Sequence, residues 1–120
     1  MTPHWLAHAI HILASTDLIQ ETVHKSMGYF QEPMLYRGIL RTLHTLFESA
    51  YKLPDDIKAQ HPSLPWQDFR DLRNILVHDY LGDFTQENTL EIIDQVLPAL
   101  REAMLMHVPN WDEIKNDYQL

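Results

Sequence analysis

Three side chains within eight positions, Arg73, His78 and Tyr80 in the stretch RNILVHDY, carry enough chemistry to cut RNA without a metal. A histidine that titrates near neutrality can take the proton of a 2′-hydroxyl or give one to a leaving 5′-oxygen. An arginine can hold a phosphodiester and stabilise the charge that develops on it. A tyrosine hydroxyl adds a hydrogen bond, or is a target for modification. The same residues also have a plainer reading, with Arg73 paired to Asp71 or Asp79 and Tyr80 packed with its polar tip in water. Clustered polar residues are often structural, so spacing alone leaves both readings open.

The element that carries them has to be a helix, because Ile75, Leu76 and Val77 sit among apolar positions recurring at helical spacing. At about 100° per residue, Arg73 and Tyr80 fall within roughly 20° of each other, whereas His78 lies about 140° from Arg73. Convergence of Arg73 and His78 therefore needs the helix to end or distort near His78, or a second copy of the helix supplied by a dimer. Gly82 and the following Asp83–Phe84 put a helix end nearby.

The rest of the chain must position that helix. Its 120 residues are the size of one ordinary domain, and 45% hydrophobic residues are enough for one core. A single helical domain over residues 1–120 is the expectation. With no cysteine, disulfides and thiolate metal sites are excluded, which fits a reducing, cytoplasmic setting. The first residues, MTPHWLAHAIHILAST, lack a basic region and are interrupted by His4, His8 and His11, so they do not read as a signal peptide. No apolar run is long enough to span a bilayer, and no membrane partner is expected. The formal net charge of −8 repels phosphate backbones at long range. A general nucleic-acid coat is excluded, DNA is not expected as a partner, and any contact with RNA must be local, through a few arginines in a shielded site.

Only three glycines occur and no strand-like alternation is visible, which predicts an all-α antiparallel four-helix bundle with short additional helices. The first helix is expected over about His4–Ser26, opened by Pro3, with Trp5, Ala9, Ile12, Ile19 and Val23 on one face. The second runs from Pro33 to about Leu53 on a stripe of Leu35 or Tyr36, Ile39, Leu43, Leu46 or Phe47, and Ala50. Pro54 stops it, and Asp55 and Asp56 suit the first turn of a short helix. The third begins near Pro65 and is closed by Gly82, with Trp66, Phe69, Leu72 or Arg73, Leu76 and Tyr80 on one face and Ile75 and Leu76 packing the bundle. Asp83 or Thr85 caps a fourth, about Gln86–His107, with Leu90, Ile93, Leu97, Leu100 and Met104 inward and Pro98 kinking or dividing it. Asn110 caps a last short helix from Trp111 to Tyr118.

Two further groups invite a ligand. His4, His8 and His11 share a helix face and could chelate zinc or nickel, but no carboxylate of an H-E-x-x-H pattern accompanies them, so a polar, partly exposed face is preferred and no metal site is assigned. Arg37 and Arg41 lie one turn apart and can point at one anion. Surface ion pairs with Glu48, Asp55 or Asp56 are the preferred reading. His24, His44, His61 and His107 carry no assignment.

The stretch LPWQDFRDLRNILVHDYLGDF strongly resembles the HepT-like family of HEPN-domain ribonuclease toxins. The family pattern is an arginine, usually followed by a polar residue, then four to six positions to a histidine, then any residue and a tyrosine. Here these are Arg73 with Asn74 beside it, four intervening residues, His78, Asp79 and Tyr80. Leu53, Pro54, Asp56, Ile57, Pro62, Pro65 and Trp66 before the motif, and Gly82 and the LPAL of the last long helix after it, also look like the family. The resemblance covers about residues 35–105. The N-terminal histidines belong to no pattern of the family, and the segment from Gly28 to Pro33 is compressed against typical members. The resemblance implies a homodimer whose motif helices line a shared cleft, and metal-independent endoribonuclease activity without a cofactor. Arg73 and His78 would be catalytic and Asn74 supporting. It further implies a toxin whose antitoxin is a minimal nucleotidyltransferase that silences the enzyme by AMPylation of Tyr80. HEPN-type bundles also serve as non-catalytic nucleotide- or partner-binding subunits of nucleotidyltransferase complexes, which the acidic balance favours.

Overall fold

The structure, a computed structural model, describes residues 3–78 and 85–118, with backbone only at 77 and 78. The described residues form helices and no strand. The first helix, α1, covers Leu6–Lys25, two residues later than expected from Pro3, because a turn closed by Leu6 N–H on the Pro3 carbonyl (3.1 Å) precedes it. A short 3-10 turn, Tyr29–Gln31, leads to α2, Pro33–Tyr51, with proline at its first position, where a missing N–H is harmless. Helix α3, Asp55–Ala59, carries Asp55 and Asp56 in its first turn. The connector to α4, Trp66–His78, is drawn together by the Trp66 indole, whose Nε1 donates to the carbonyls of Lys58 (3.1 Å) and His61 (3.0 Å).

The expected fourth long helix is divided. Thr85 caps α5, Gln86–Glu91, in a reciprocal capping box with Asn88. A π-helical stretch, Ile92–Val96, follows, and then α6, Leu97–Leu105, which stops before His107. Pro98 is the physical cause. It has no N–H to offer and its ring displaces the carbonyl one turn back, so the wider turn absorbs the fault ahead of it. The extra residue rotates the stripe of apolar positions. Leu90 points out, while Thr89 is buried with its hydroxyl 2.9 Å from the Tyr36 hydroxyl. Ile92 and Ile93 are both buried. The chain finishes with α7, Trp111–Ile114, and a 3-10 turn over Lys115–Tyr118.

Cross-helix contacts fix the directions. His11 near the start of α1 meets Ser49 near the end of α2, so these two run antiparallel. Phe47 late in α2 stacks on Phe69 early in α4, with ring centroids 5.3 Å apart and both rings wholly buried. Asp17 bonds Arg101 while Gln20, further along α1, reaches the Ile93 carbonyl, so α1 and α6 are also antiparallel. One connected core results, with α2 packed on both α1 and α4, and α1 packed on α6. Asp17 also accepts from the Trp111 indole at 2.8 Å, which ties α7 to the bundle.

The outer side of α4 is less covered. Phe69 is buried and Leu72 and Leu76 are half-buried, but Ile75 is 44% exposed, against the expectation that it packs the bundle. The face of α4 that meets α2 is set by Phe69, so Ile75, about 240° further round, lies beside a groove lined by Leu72, Ile92 and Val96.

Candidate functional site

The site is built where α4 crosses the end of α2. Arg73 projects from α4 at the level fixed by the Phe47–Phe69 stack. Its Nη1 donates to the Asn74 side-chain carbonyl at 2.9 Å, and its Nη2 lies 3.7 Å from Oε1 of Glu48 on α2. Asp71, suggested by sequence proximity, is not among these partners. Asp71 lies instead on the groove with Ile75, and Asp79 lies outside the described residues. The buried Nε of Arg73 meets no acceptor among the described residues. Glu48 is also 3.6 Å from Lys52, so one carboxylate serves two cations over long distances. Such half-exposed pairs hold weakly, about 0–1 kcal/mol, and a phosphate can displace them.

The helix α4 runs unbroken through His78. The offset of about 140° between positions 73 and 78 therefore stands, and no distortion before His78 removes it. The side chain of His78, and Tyr80 and Gly82 entirely, lie outside the described residues.

A residue to which the sequence assigned nothing belongs to this neighbourhood. His44 sits on α2 one turn before Glu48. Arg41 Nη1 lies 3.1 Å from His44 Nδ1, and since the guanidinium can only donate, that nitrogen is the acceptor and the imidazole is neutral. Burial pushes the His44 pKa below its ordinary value, Arg41 and Arg73 push it the same way, and Glu48 opposes them. Arg73 meets Glu48, one turn along α2 from His44, at 3.7 Å, so the two helices bring these groups together. The expected ion pairs of Arg37 and Arg41 with Glu48, Asp55 or Asp56 are absent among the described residues. The signal in the sequence was the spacing 37, 41, 44, 48, which keeps four side chains within an arc of about 60° on one helix.

The N-terminal histidines do not converge on a ligand. His11 spends Nδ1 on the Ser49 hydroxyl (2.7 Å) and Nε2 on Ser15 (3.3 Å), while His4 and His8 meet edge to face. Among the described residues no group of three or more His, Asp or Glu side chains is placed to hold a metal ion. None of the described helices is long and apolar enough to cross a membrane.

Comparison with known proteins places the chain in a family. The family described as "Ribonuclease HepT-like" matches residues 12–106. A Methanocaldococcus jannaschii protein named "Gamma-glutamylcyclotransferase and putative RNase" is 29% identical over 89% of this chain and 49% of its own length. A "Putative RNase" of Caldanaerobacter subterraneus is 29% identical over 60% of this chain and 66% of its own. A "Probable ribonuclease HepT" of Thermococcus cleftensis is 34% identical over 38% of this chain and 41% of its own. The chain thus spans about half to two thirds of the length of the first two relatives. No solved structure gives a significant match. With a family match over residues 12–106, well over half the chain, and an all-helical core, this chain belongs to the ribonuclease HepT-like family.

Proposed function

We propose that the chain is a metal-independent endoribonuclease toxin. Arg73 binds the scissile phosphate and stabilises the charge that builds on it, and His78 moves the proton at the 2′-hydroxyl or the leaving 5′-oxygen. Asn74 orients the guanidinium, and Tyr80 is the control residue. The observation that carries this reading is the seat of Arg73, steered by Asn74 at 2.9 Å and bound only loosely by Glu48, inside the stretch that matches the family. An arginine so placed is aimed by one neighbour and given up by the other.

A homodimer completes the site in this reading. Position 78 cannot face the phosphate held by Arg73 of the same straight helix, so a second α4 across the cleft supplies the missing histidine. The natural inhibitor is a minimal nucleotidyltransferase that adds AMP to Tyr80. The added phosphate would fill the cleft and repel RNA. The test is RNA degradation by the purified protein in EDTA, beside Arg73→Ala and His78→Ala. Loss of cleavage in both variants with the fold retained is expected, and equal activity in all three proteins would remove the reading.

The net charge of −8 favours a second reading, a non-catalytic binding subunit of a nucleotidyltransferase. Expression without any partner separates the two, since growth arrest follows from a toxin and not from a binding subunit.

A further inference from the structure

The cationic stripe of α2 is not spent on ion pairs among the described residues. Arg37 and Arg41 are exposed, and among the described residues neither lies within 4.0 Å of a carboxylate. Four of the chain's five arginines, Arg37, Arg41, Arg70 and Arg73, sit on α2 or α4. The single carboxylate of α2 is Glu48, already engaged by Arg73 and Lys52. The carboxylates of α4, Asp68 and Asp71, line the groove with Ile75 instead, so Arg37, Arg41 and Arg73 make a local positive field in a protein of net charge −8. The stripe also runs up to the motif arginine, because Arg73 reaches Glu48 at 3.7 Å, one turn along α2 from His44. Arg37 to His44 rises about 10 Å along the helix, at about 1.5 Å per residue. Beside it, Gly38 leaves the helix surface bare, since a Cβ there would meet nothing within 4 Å. A glycine in an exposed helix interior weakens the helix, and it is found where another backbone comes close.

We propose that Arg37, Arg41 and His44 form a phosphate-binding track along α2 that takes the RNA backbone next to the phosphate held by Arg73. The inference rests on the ribonuclease reading for the identity of that phosphate. Arg41 donates to a backbone phosphate with the N–H groups left over from His44. The neutral His44, accepting at Nδ1, carries its hydrogen on Nε2 and offers it as one more donor. The track reads no base. It sets the register of the strand so that one phosphodiester reaches Arg73.

The experiment is single-stranded RNA binding at several salt concentrations in a His78→Ala background, which keeps the RNA intact. Arg41→Ala and Arg37→Ala are compared with Lys25→Ala, which removes an equal charge from the last turn of α1, where Lys25 is already paired with Glu21. Each track variant is expected to weaken binding and to reduce the slope of log affinity against log salt by about 0.7, the value for one lost contact to a single strand. Lys25→Ala keeps the slope of the parent. If Arg41→Ala behaves as Lys25→Ala does, the track is overturned while the ribonuclease reading survives. If RNA binds through Arg41 and the unmutated protein cuts nothing, the track stands and the ribonuclease reading falls. If no RNA binds, or Arg41→Ala weakens only association with an acidic protein, the track is overturned.

Discussion

Arg73 on α4 and Glu48 on α2 face each other across the helix seam at 3.7 Å, each about one third exposed. The pair is too long and too wet to hold the helices together, a task that falls to the buried Phe47–Phe69 stack a turn away. It acts instead as a local counter-charge to the cations of α2 and α4. Glu48→Gln is therefore expected to change the melting temperature little and to tighten RNA binding several-fold at low salt. The gain should shrink as salt shortens the reach of charge, to about 3 Å at 1 M. Titrations at two ionic strengths check this, and weaker binding would mean that Glu48 positions Arg73.

Ile75 is 44% exposed on the face of α4 turned away from α2. A charge there costs the isolated chain little, because surface substitutions usually stay within about 0.5 kcal/mol. In a dimer built on that face, Ile75→Asp buries an unpaired carboxylate. The variant is expected to sediment as a folded monomer and to lose RNA cleavage with Arg73 and His78 intact. A dimer of full activity would place the second copy elsewhere.

Acid should loosen the fold. Burial lowers the pKa of His8, His11, His44 and His107 below the ordinary 6.5, with neighbouring cations or imidazoles adding to it. His107 also shares a hydrogen with His61, Nε2 to Nε2 at 2.8 Å, and Trp5 packs edge-on against it. A histidine with a depressed folded pKa binds fewer protons folded than unfolded, so its contribution is complete above about 6.5 and is lost as pH falls from there through the folded value. The melting temperature is expected to drop between pH 7.5 and 5, and less steeply in His107→Gln. A flat profile over that range would contradict the lowered pKa of these half-buried imidazoles.

Gly38→Ala separates stability from function. The site is helical and open, so alanine should stabilise the chain by about 0.4–1 kcal/mol through the unfolded state. Thermal melting measures the gain. Weaker RNA binding in the same variant would mark Gly38 as a place of close backbone approach.

The helical class and most helix positions were legible because apolar residues recur at the helical period and because the breaks carry proline. Pro33 stands at the start of α2, Pro54 just before α3 and Pro65 just before α4. Arg73, His78 and Tyr80 were legible as a candidate trio, while the supporting role of Asn74 and the control role of Tyr80 came from resemblance to the family. Long-range events were not legible. The π turn before Pro98 swaps Leu90 for Thr89 at the core, and no periodicity rule anticipates an extra residue in a turn. The partners of Arg73 were also hidden, since Glu48 is distant in the chain and is brought close only by the Phe47–Phe69 stack. His44 shows the same limit, because its stripe with Arg37 and Arg41 is written in one helix while its place beside Arg73 depends on how two helices cross. Sequence by itself determined which faces are apolar and which side chains carry charge, because those are properties of local spacing. Only the packing of α2 against α4 decided which charges share a site, because the electrostatics of a pair depend on distance and burial.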